Sequence, residues 1–229
     1  ADSQEAYDFT LAAIEVSERW RIPVLLRMTT RVCHSKTVVR QAANLPAAPA
    51  PGFVRDIKSR VMIPAYARPA HKRLREKLAA IAEWNEASGP AVEIAGGKDL
   101  GIITSGVSYV HVREAAPEAS VLKLGMTYPV PVERVRRFAA GVGRLAAIEE
   151  GDPYLVETLR TSGIAVECRP EMYRFGEMNV ARVRRILAGD TTPEAAPAPG
   201  TPPQLCPGCP HRNVFTSLRN LDCIVSGDI

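Results

Sequence analysis

No run of about 18 apolar residues occurs in the 229-residue chain, so no helical membrane span is encoded. The first residues, Ala-Asp-Ser-Gln-Glu, lack a basic leader followed by an apolar stretch, which argues against a secretory signal and for a cytoplasmic setting. An initiator methionine is missing too, so Ala1 reads as a processed or internal start. Cysteine is scarce: Cys33, Cys168, Cys206, Cys209 and Cys223 are too few and too unevenly placed for a disulfide scaffold, and reduced thiols or a metal site are expected instead. Strong charge of one sign is absent as well, with 29 Lys+Arg against 25 Asp+Glu for a net +4. The densest basic clusters, Arg134, Arg136, Arg137 and Arg182, Arg184, Arg185, read as solvated helix faces rather than a nucleic-acid stripe. What remains, 46% hydrophobic and 24% charged, is an ordinary globular composition of a length that suits one large or two small domains.

Residues 2 to 20 read as a helix, because Asp2 can cap it with Glu5 three positions on, and Phe9, Ile14 and Trp20 lie among alanines on a broad apolar side. That helix is expected to end at Arg21. After Pro23, Val24 to Thr29 form a short β-type run ending in the polar cluster Thr29, Thr30, Arg31, His34 and Ser35. Gln41 to Gly52 is an Ala/Pro-rich connector, and the next stretch runs through Pro64 and Pro69 into a charged helix from about His71 to Ser88. His71 reads as a surface residue.

Between Leu100 and Ile164 strand-like runs alternate with helical patterns. Leu100–Thr104, Ser120–Leu124 and Arg144–Ile148 are the expected strands, with helices starting near Val107, Glu133 and Asp152. Such βα repetition implies a parallel, open α/β sheet with right-handed crossovers, in a three-layer unit over residues 96 to 166. Thr104-Ser105-Gly106 falls at the first strand-to-helix turn, where free amides can hold an anion or serve only as an ordinary helix start. No G-x-G-x-x-G occurs there, so no dinucleotide site is implied. Asp190 to Pro203 is too rich in Pro and Ala to pack a core and reads as an interdomain linker. Beyond it come Cys206-Pro-Gly-Cys209-Pro-His211-Arg212, a helix carrying Val214, Phe215, Leu218 and Leu221, and a strand from Cys223 that ends in Gly227-Asp228.

The C-x-x-C pair can place two sulfurs on one metal or cluster iron, and a following helix lowers thiolate pKa. A cluster ligand pair, a zinc half-site and a redox dithiol are all compatible with it. Zinc would need two further ligands, for which His211 and Cys223 are the nearest in sequence. A redox dithiol ordinarily follows the first strand of a thioredoxin-like fold, whereas this pair follows a Pro-rich linker.

The string Leu205-Cys-Pro-Gly-Cys-Pro-His-Arg-Asn-Val-Phe, followed by Val225-Ser-Gly-Asp-Ile, resembles the opening of the thiamine-diphosphate domain of indolepyruvate:ferredoxin oxidoreductases. Upstream, Val24-Leu-Leu-Arg-Met-Thr-Thr-Arg-Val-Cys-His-Ser resembles the last strand of that family's pyrimidine-binding domain. Val61-Met-Ile-Pro-Ala is similar to its intervening segment. Leu100-Gly-Ile-Ile-Thr-Ser-Gly-Val-Ser-Tyr, Val121-Leu-Lys-Leu-Gly-Met-Thr-Tyr-Pro and Glu149-Glu150 with Asp152-Pro153 resemble its transketolase C-terminal-like domain. The resemblance covers nearly the whole chain in the family's order, which makes it far more specific than any single string.

The resemblance implies an α/β multidomain fragment of the large subunit, with a parallel-sheet transketolase C-terminal-like domain flanked by partial thiamine-diphosphate-binding domains. Its expected divisions are 1–45, the end of the pyrimidine-binding domain; 46–95, a connector with a helix; 96–170, the transketolase C-terminal-like domain; 171–203, a helix and linker; and 204–229, the start of the diphosphate-binding domain. It implies oxidative decarboxylation of an aryl 2-oxoacid such as indolepyruvate, with thiamine diphosphate, Mg2+ and a 4Fe-4S iron-sulfur cluster as cofactors. Its expected partners are a small β subunit, ferredoxin and coenzyme A, with no nucleic acid and no membrane. Cys206 and Cys209 would ligate the cluster, while Arg27, Thr29, Thr30, Arg31 and His34 would lie near substrate or cofactor. Cys223 is expected in the core, and no function attaches to Cys33. Because the family's activating glutamate and its metal motif fall outside residues 1 to 229, and Asp228 has no partner Asn, the isolated chain is expected to be inactive. A pyruvate or 2-oxoglutarate enzyme of the same superfamily, or a non-catalytic docking module with a zinc-stabilised turn, are the alternatives.

Overall fold

The computed structural model describes residues 2–42, 52–195, 200 and 204–226. Contacts divide the chain into two compact units, Ala1–Thr191 and Thr192–Ile229. In the first, α1 (Ser3–Trp20), α2 (Thr30–His34), α3 (Ile57–Arg60) and α4 (Pro64–Ser88) precede β1 (Ala91–Ile94). Then β2 (Gly97–Ser105), α5 (Ser108–Ala115), β3 (Ala119–Leu124), α6 (Val132–Ala140), β4 (Arg144–Ile148) and α7 (Tyr154–Thr161) alternate, before a 3-10 turn at Glu171–Arg174 and α8 (Val180–Leu187). The second unit carries α9 (Pro210–Leu218).

The α/β expectation holds. β2 pairs in parallel with β3 on one side and β4 on the other, in a four-stranded sheet of order β1-β3-β2-β4. Each strand carries apolar side chains on both faces, the mark of a sheet covered by helices on both sides. Ile103, Leu122 and Leu124 pack with Val135 and Phe138 of α6 and Leu155 and Leu159 of α7. The alternate residues Ile102, Val121 and Ile148 pack instead with Val112 of α5 and Val183 and Ile186 of α8. The outer strand β1 runs antiparallel to β3, with Ala91 opposite Leu124 and Ile94 opposite Val121. Its four residues show no strict alternation, which kept it out of the sequence reading.

At α1, Asp2 accepts from the Glu5 amide at 2.8 Å, and the helix stops where Arg21 turns left-handed, at φ 50°. Three expectations need correction. Val24–Thr29 pairs with no strand among the described residues: a β-type run forms a strand only where an edge is free to receive it, and this one runs extended into α2. The charged helix begins at Pro64 rather than His71, because proline at the first helical position forfeits no hydrogen bond. Cys223–Ser226 forms no strand; Gly227 and Asp228 lie outside the described residues, as does most of the expected connector and part of the linker.

Candidate functional site

In the second unit the sequence builds a thiol-bearing turn. Gly208 sits at φ 77°, a conformation that a Cβ disfavours, and the Cys209 amide donates to the Cys206 carbonyl at 3.1 Å, so Pro207-Gly208 form the bend between the two cysteines. Proline at the first position then starts α9, with Cys209 as its N-cap residue. The Cys206 side chain is exposed and Cys209 half-buried, and both are free thiols. The Cys209 sulfur lies 3.4 Å from His211 Nδ1, while Arg212 donates to the Leu205 carbonyl at 2.8 Å and ties the front of the turn to the helix. Two soft sulfur donors on one bend suit a thiophilic metal or cluster. They supply two of the four ligands such a site takes, and no group of three or more His, Cys, Asp or Glu side chains among the described residues could hold a metal ion. Cys223, expected in the core, is exposed.

In the first unit the polar cluster after Pro23 falls into two kinds. Arg31 donates through Nε to Glu177 at 2.9 Å, and this ion pair joins α2 to the loop before α8. The guanidinium of Arg27 lies beside Gly151, so near that a Cβ placed there would meet it at 3.7 Å. Thr29 precedes α2 but makes no capping bond, and its hydroxyl is buried without a partner. Thr30 and His34 are exposed on α2.

The loop that Arg27 borders, Glu149 to Pro153, follows β4. Glu149 is 5% exposed, and its carboxylate accepts from the amides of Leu155 at 2.9 Å and Val156 at 3.2 Å, capping α7. Burial pushes its carboxyl pKa up, opposed by those two amide bonds and by the positive charge of Arg169. Arg169, itself buried, donates to the carbonyls of Glu149 and Gly151. Glu150 accepts from the Met178 amide at 3.2 Å. On β3, Lys123 is 8% exposed, pairs with Glu5 of α1 and lies under the Tyr109 ring, at 4.6 Å from its centroid. Burial lowers its pKa.

The structural roles of Lys123, Glu149 and Arg169 escaped the sequence reading. A lysine inside an otherwise apolar strand, and a glutamate between a strand and an Asp-Pro helix start, were the available signals. A groove of about 600 Å³ at the amino end of β4 is no rival site, since Arg144 and Arg136 on its wall are committed to Glu167 and to the Ser162 carbonyl.

No family model matches the chain. Relatives do. The indolepyruvate oxidoreductase subunit IorA of Methanothermobacter thermautotrophicus is 35% identical over an alignment that covers 100% of this chain and 41% of that one. IorA of Archaeoglobus fulgidus is 31% identical, with 95% of this chain and 39% of the relative covered. Among solved structures, a 2-oxoglutarate:ferredoxin oxidoreductase from Magnetococcus marinus, with 2-oxoglutarate, coenzyme A and succinyl-CoA bound, is similar at 17% identity and a TM-score of 0.42, over 56% of this chain and 24% of that one. Over 95–100% of its length this chain is similar to the IorA subunits of indolepyruvate oxidoreductases, and it spans 39–41% of theirs.

Proposed function

We propose that this chain works as part of the large subunit of an enzyme that oxidatively decarboxylates aryl 2-oxoacids, with indolepyruvate as the substrate. The observation that carries the reading is the similarity to IorA subunits across 100% of the chain, with the Cys206–Cys209 turn included. In this reading residues 1–45 close a pyrimidine-binding domain, 46–95 connect it, 96–170 form the transketolase C-terminal-like domain, 171–203 lead out through a helix and linker, and 204–229 open the diphosphate-binding domain. Thiamine diphosphate with its Mg2+ would supply carbanion stabilisation for the loss of carbon dioxide, and a 4Fe-4S cluster would carry electrons towards ferredoxin. Coenzyme A would take the acyl group, and a small β subunit would complete the enzyme.

This chain's own contributions are more limited. Cys206 and Cys209 present two sulfurs from one bend, a fit for half of a cluster's ligand set. Arg27, Thr29, Thr30, Arg31 and His34 border the substrate side; Arg31 holds that segment in place through Glu177, while Arg27 forms no ion pair among the described residues. With two of four cluster thiolates on the bend, the 229-residue chain is inactive by itself.

The test is dye reduction by the complete enzyme. Viologen reduction that requires coenzyme A and runs with a higher kcat/KM on indolepyruvate than on pyruvate or 2-oxoglutarate is expected. Failure to reduce the dye with any 2-oxoacid would remove the reading, and a preference for pyruvate or 2-oxoglutarate would move it to another enzyme of the superfamily.

A further inference from the structure

The order β1-β3-β2-β4 puts the reversal of winding at β2. The chain leaves β2 through α5 on one face to reach β3, then crosses on the opposite face through α6 to reach β4, which continues into α7 on that second face. The loops at the carboxyl ends of β2 and β4 therefore diverge, and an open α/β sheet takes its ligands in the crevice such divergence leaves.

What lines this crevice points to one ligand chemistry. The start of α5 has no side-chain cap, and the amides of Gly106, Val107 and Ser108 donate to nothing among the described residues. Gly106, at φ 56°, leaves open space where a side chain would stand. Thr104, the last β2 residue paired with β4, is 0% exposed and its hydroxyl has no partner. Alternation from Ile102 puts Thr104 on the face that α5 covers, so the hydroxyl stands between the strand end and the helix start. On the loop that follows β4, the guanidinium of Arg27 borders Gly151, and Arg169 donates to the Gly151 carbonyl. Thr104 Oγ1 is among the buried side-chain polar atoms of the described residues that lack a hydrogen-bond partner, as are Thr29 Oγ1 and Arg169 Nε. A buried donor without a partner costs about 1–3 kcal/mol, so the unpartnered Thr104 hydroxyl favours a ligand that satisfies it. The acids of the loop are engaged elsewhere, Glu149 at the α7 amides and Glu150 at the Met178 amide, while Asp152 faces solvent.

We propose that the crevice between the carboxyl ends of β2 and β4 is an oxyanion site, in which the α5 amides and the Thr104 hydroxyl on one side and Arg27 on the other hold a phosphate ester or a carboxylate. Free amides at a helix N-terminus and a guanidinium are complementary to either group. The site uses no residue of the cysteine turn and needs neither the thiamine nor the cluster assignment, so one can fail while the other survives.

Calorimetric titration of the 229-residue chain at low ionic strength, with inorganic phosphate in one arm and pyruvate in the other, is the test. Saturable binding of at least one anion is expected, weakened on the order of tenfold by Thr104→Val and by Arg27→Gln, the equivalent of one lost charge-assisted bond. The arm that binds identifies the group as phosphate or carboxylate. Thr104→Val should melt no lower than the parent, because it removes an unsatisfied buried hydroxyl, and the exposed Arg27→Gln reports on the site should the threonine variant fail to fold. No heat in either arm, or equal affinity in parent and variants, an adventitious ion only, would overturn the proposal.

Discussion

The sheet of the first unit and the cysteine turn of the second are held in opposite ways. Ile102, Ile103, Val121 and Leu122 have no solvent exposure, and helices cover them on both faces. α9, by contrast, buries no residue, and Phe215 is 46% exposed. The sheet makes its own stability from apolar contact, whereas the turn, if it holds the proposed cluster, would gain its order from what it binds.

The largest effect that would break the comparison is in the core. Leu122→Ala is expected to destabilise the first unit by about 3–4 kcal/mol, while Phe215→Ala should change it by less than about 0.5 kcal/mol, both read from urea unfolding. Equal losses would show that α9 depends on the same core. Next comes the link between α1 and the sheet: Glu5→Ala strands Lys123 in a nearly buried position and should cost about 3 kcal/mol, with Lys123→Met in the same background restoring most of it. A single variant as stable as the parent would mean that Lys123 finds another partner.

A smaller and pH-dependent effect belongs to Glu149. Its folded pKa is raised by burial, so its contribution to stability is fully present below the unfolded value and is lost as pH rises through the folded one. Glu149→Gln removes that charge while keeping an acceptor for the α7 amides, and should therefore gain on the parent as pH rises from 4 to 8, a window set on the order of the usual carboxylate range. Glu149→Ala loses the cap and should fall by about 1–2 kcal/mol at any pH. A parent that gains on Glu149→Gln with rising pH would invert the assignment. The smallest effect is expected at Arg144, whose bidentate pair with Glu167 is half exposed and lowers the Glu167 pKa. Arg144→Gln should cost no more than about 1 kcal/mol and less in high salt, as thermal melts at two ionic strengths would show.

How much of this was legible in the sequence follows the same division. The bounds of β3 and β4, and the approximate starts of α5 to α7, were readable because buried parallel strands are continuous apolar runs and the helices between them are amphipathic. The cap at Asp2 was readable because it is local. β1 was not, since four residues on an edge carry too little pattern, and Val24–Thr29 misled because strand pairing is a property of the neighbour as much as of the run. At the candidate sites the C-x-x-C turn announced itself by residue type and spacing. The β2–β4 crevice did not, because Thr104 and the loop after Ile148 are brought to one edge only by strand order, which no local pattern encodes.

The cysteine turn gives the most direct test of the account. In the complete subunit, Cys206 and Cys209 are replaced together by serine, and iron, acid-labile sulfide and zinc are quantified anaerobically beside the parent. The account predicts that the parent carries iron with sulfide and that the double variant loses about four iron atoms per chain together with its electron transfer. Unchanged iron with unchanged electron transfer, or stoichiometric zinc at the turn of the parent, would contradict it.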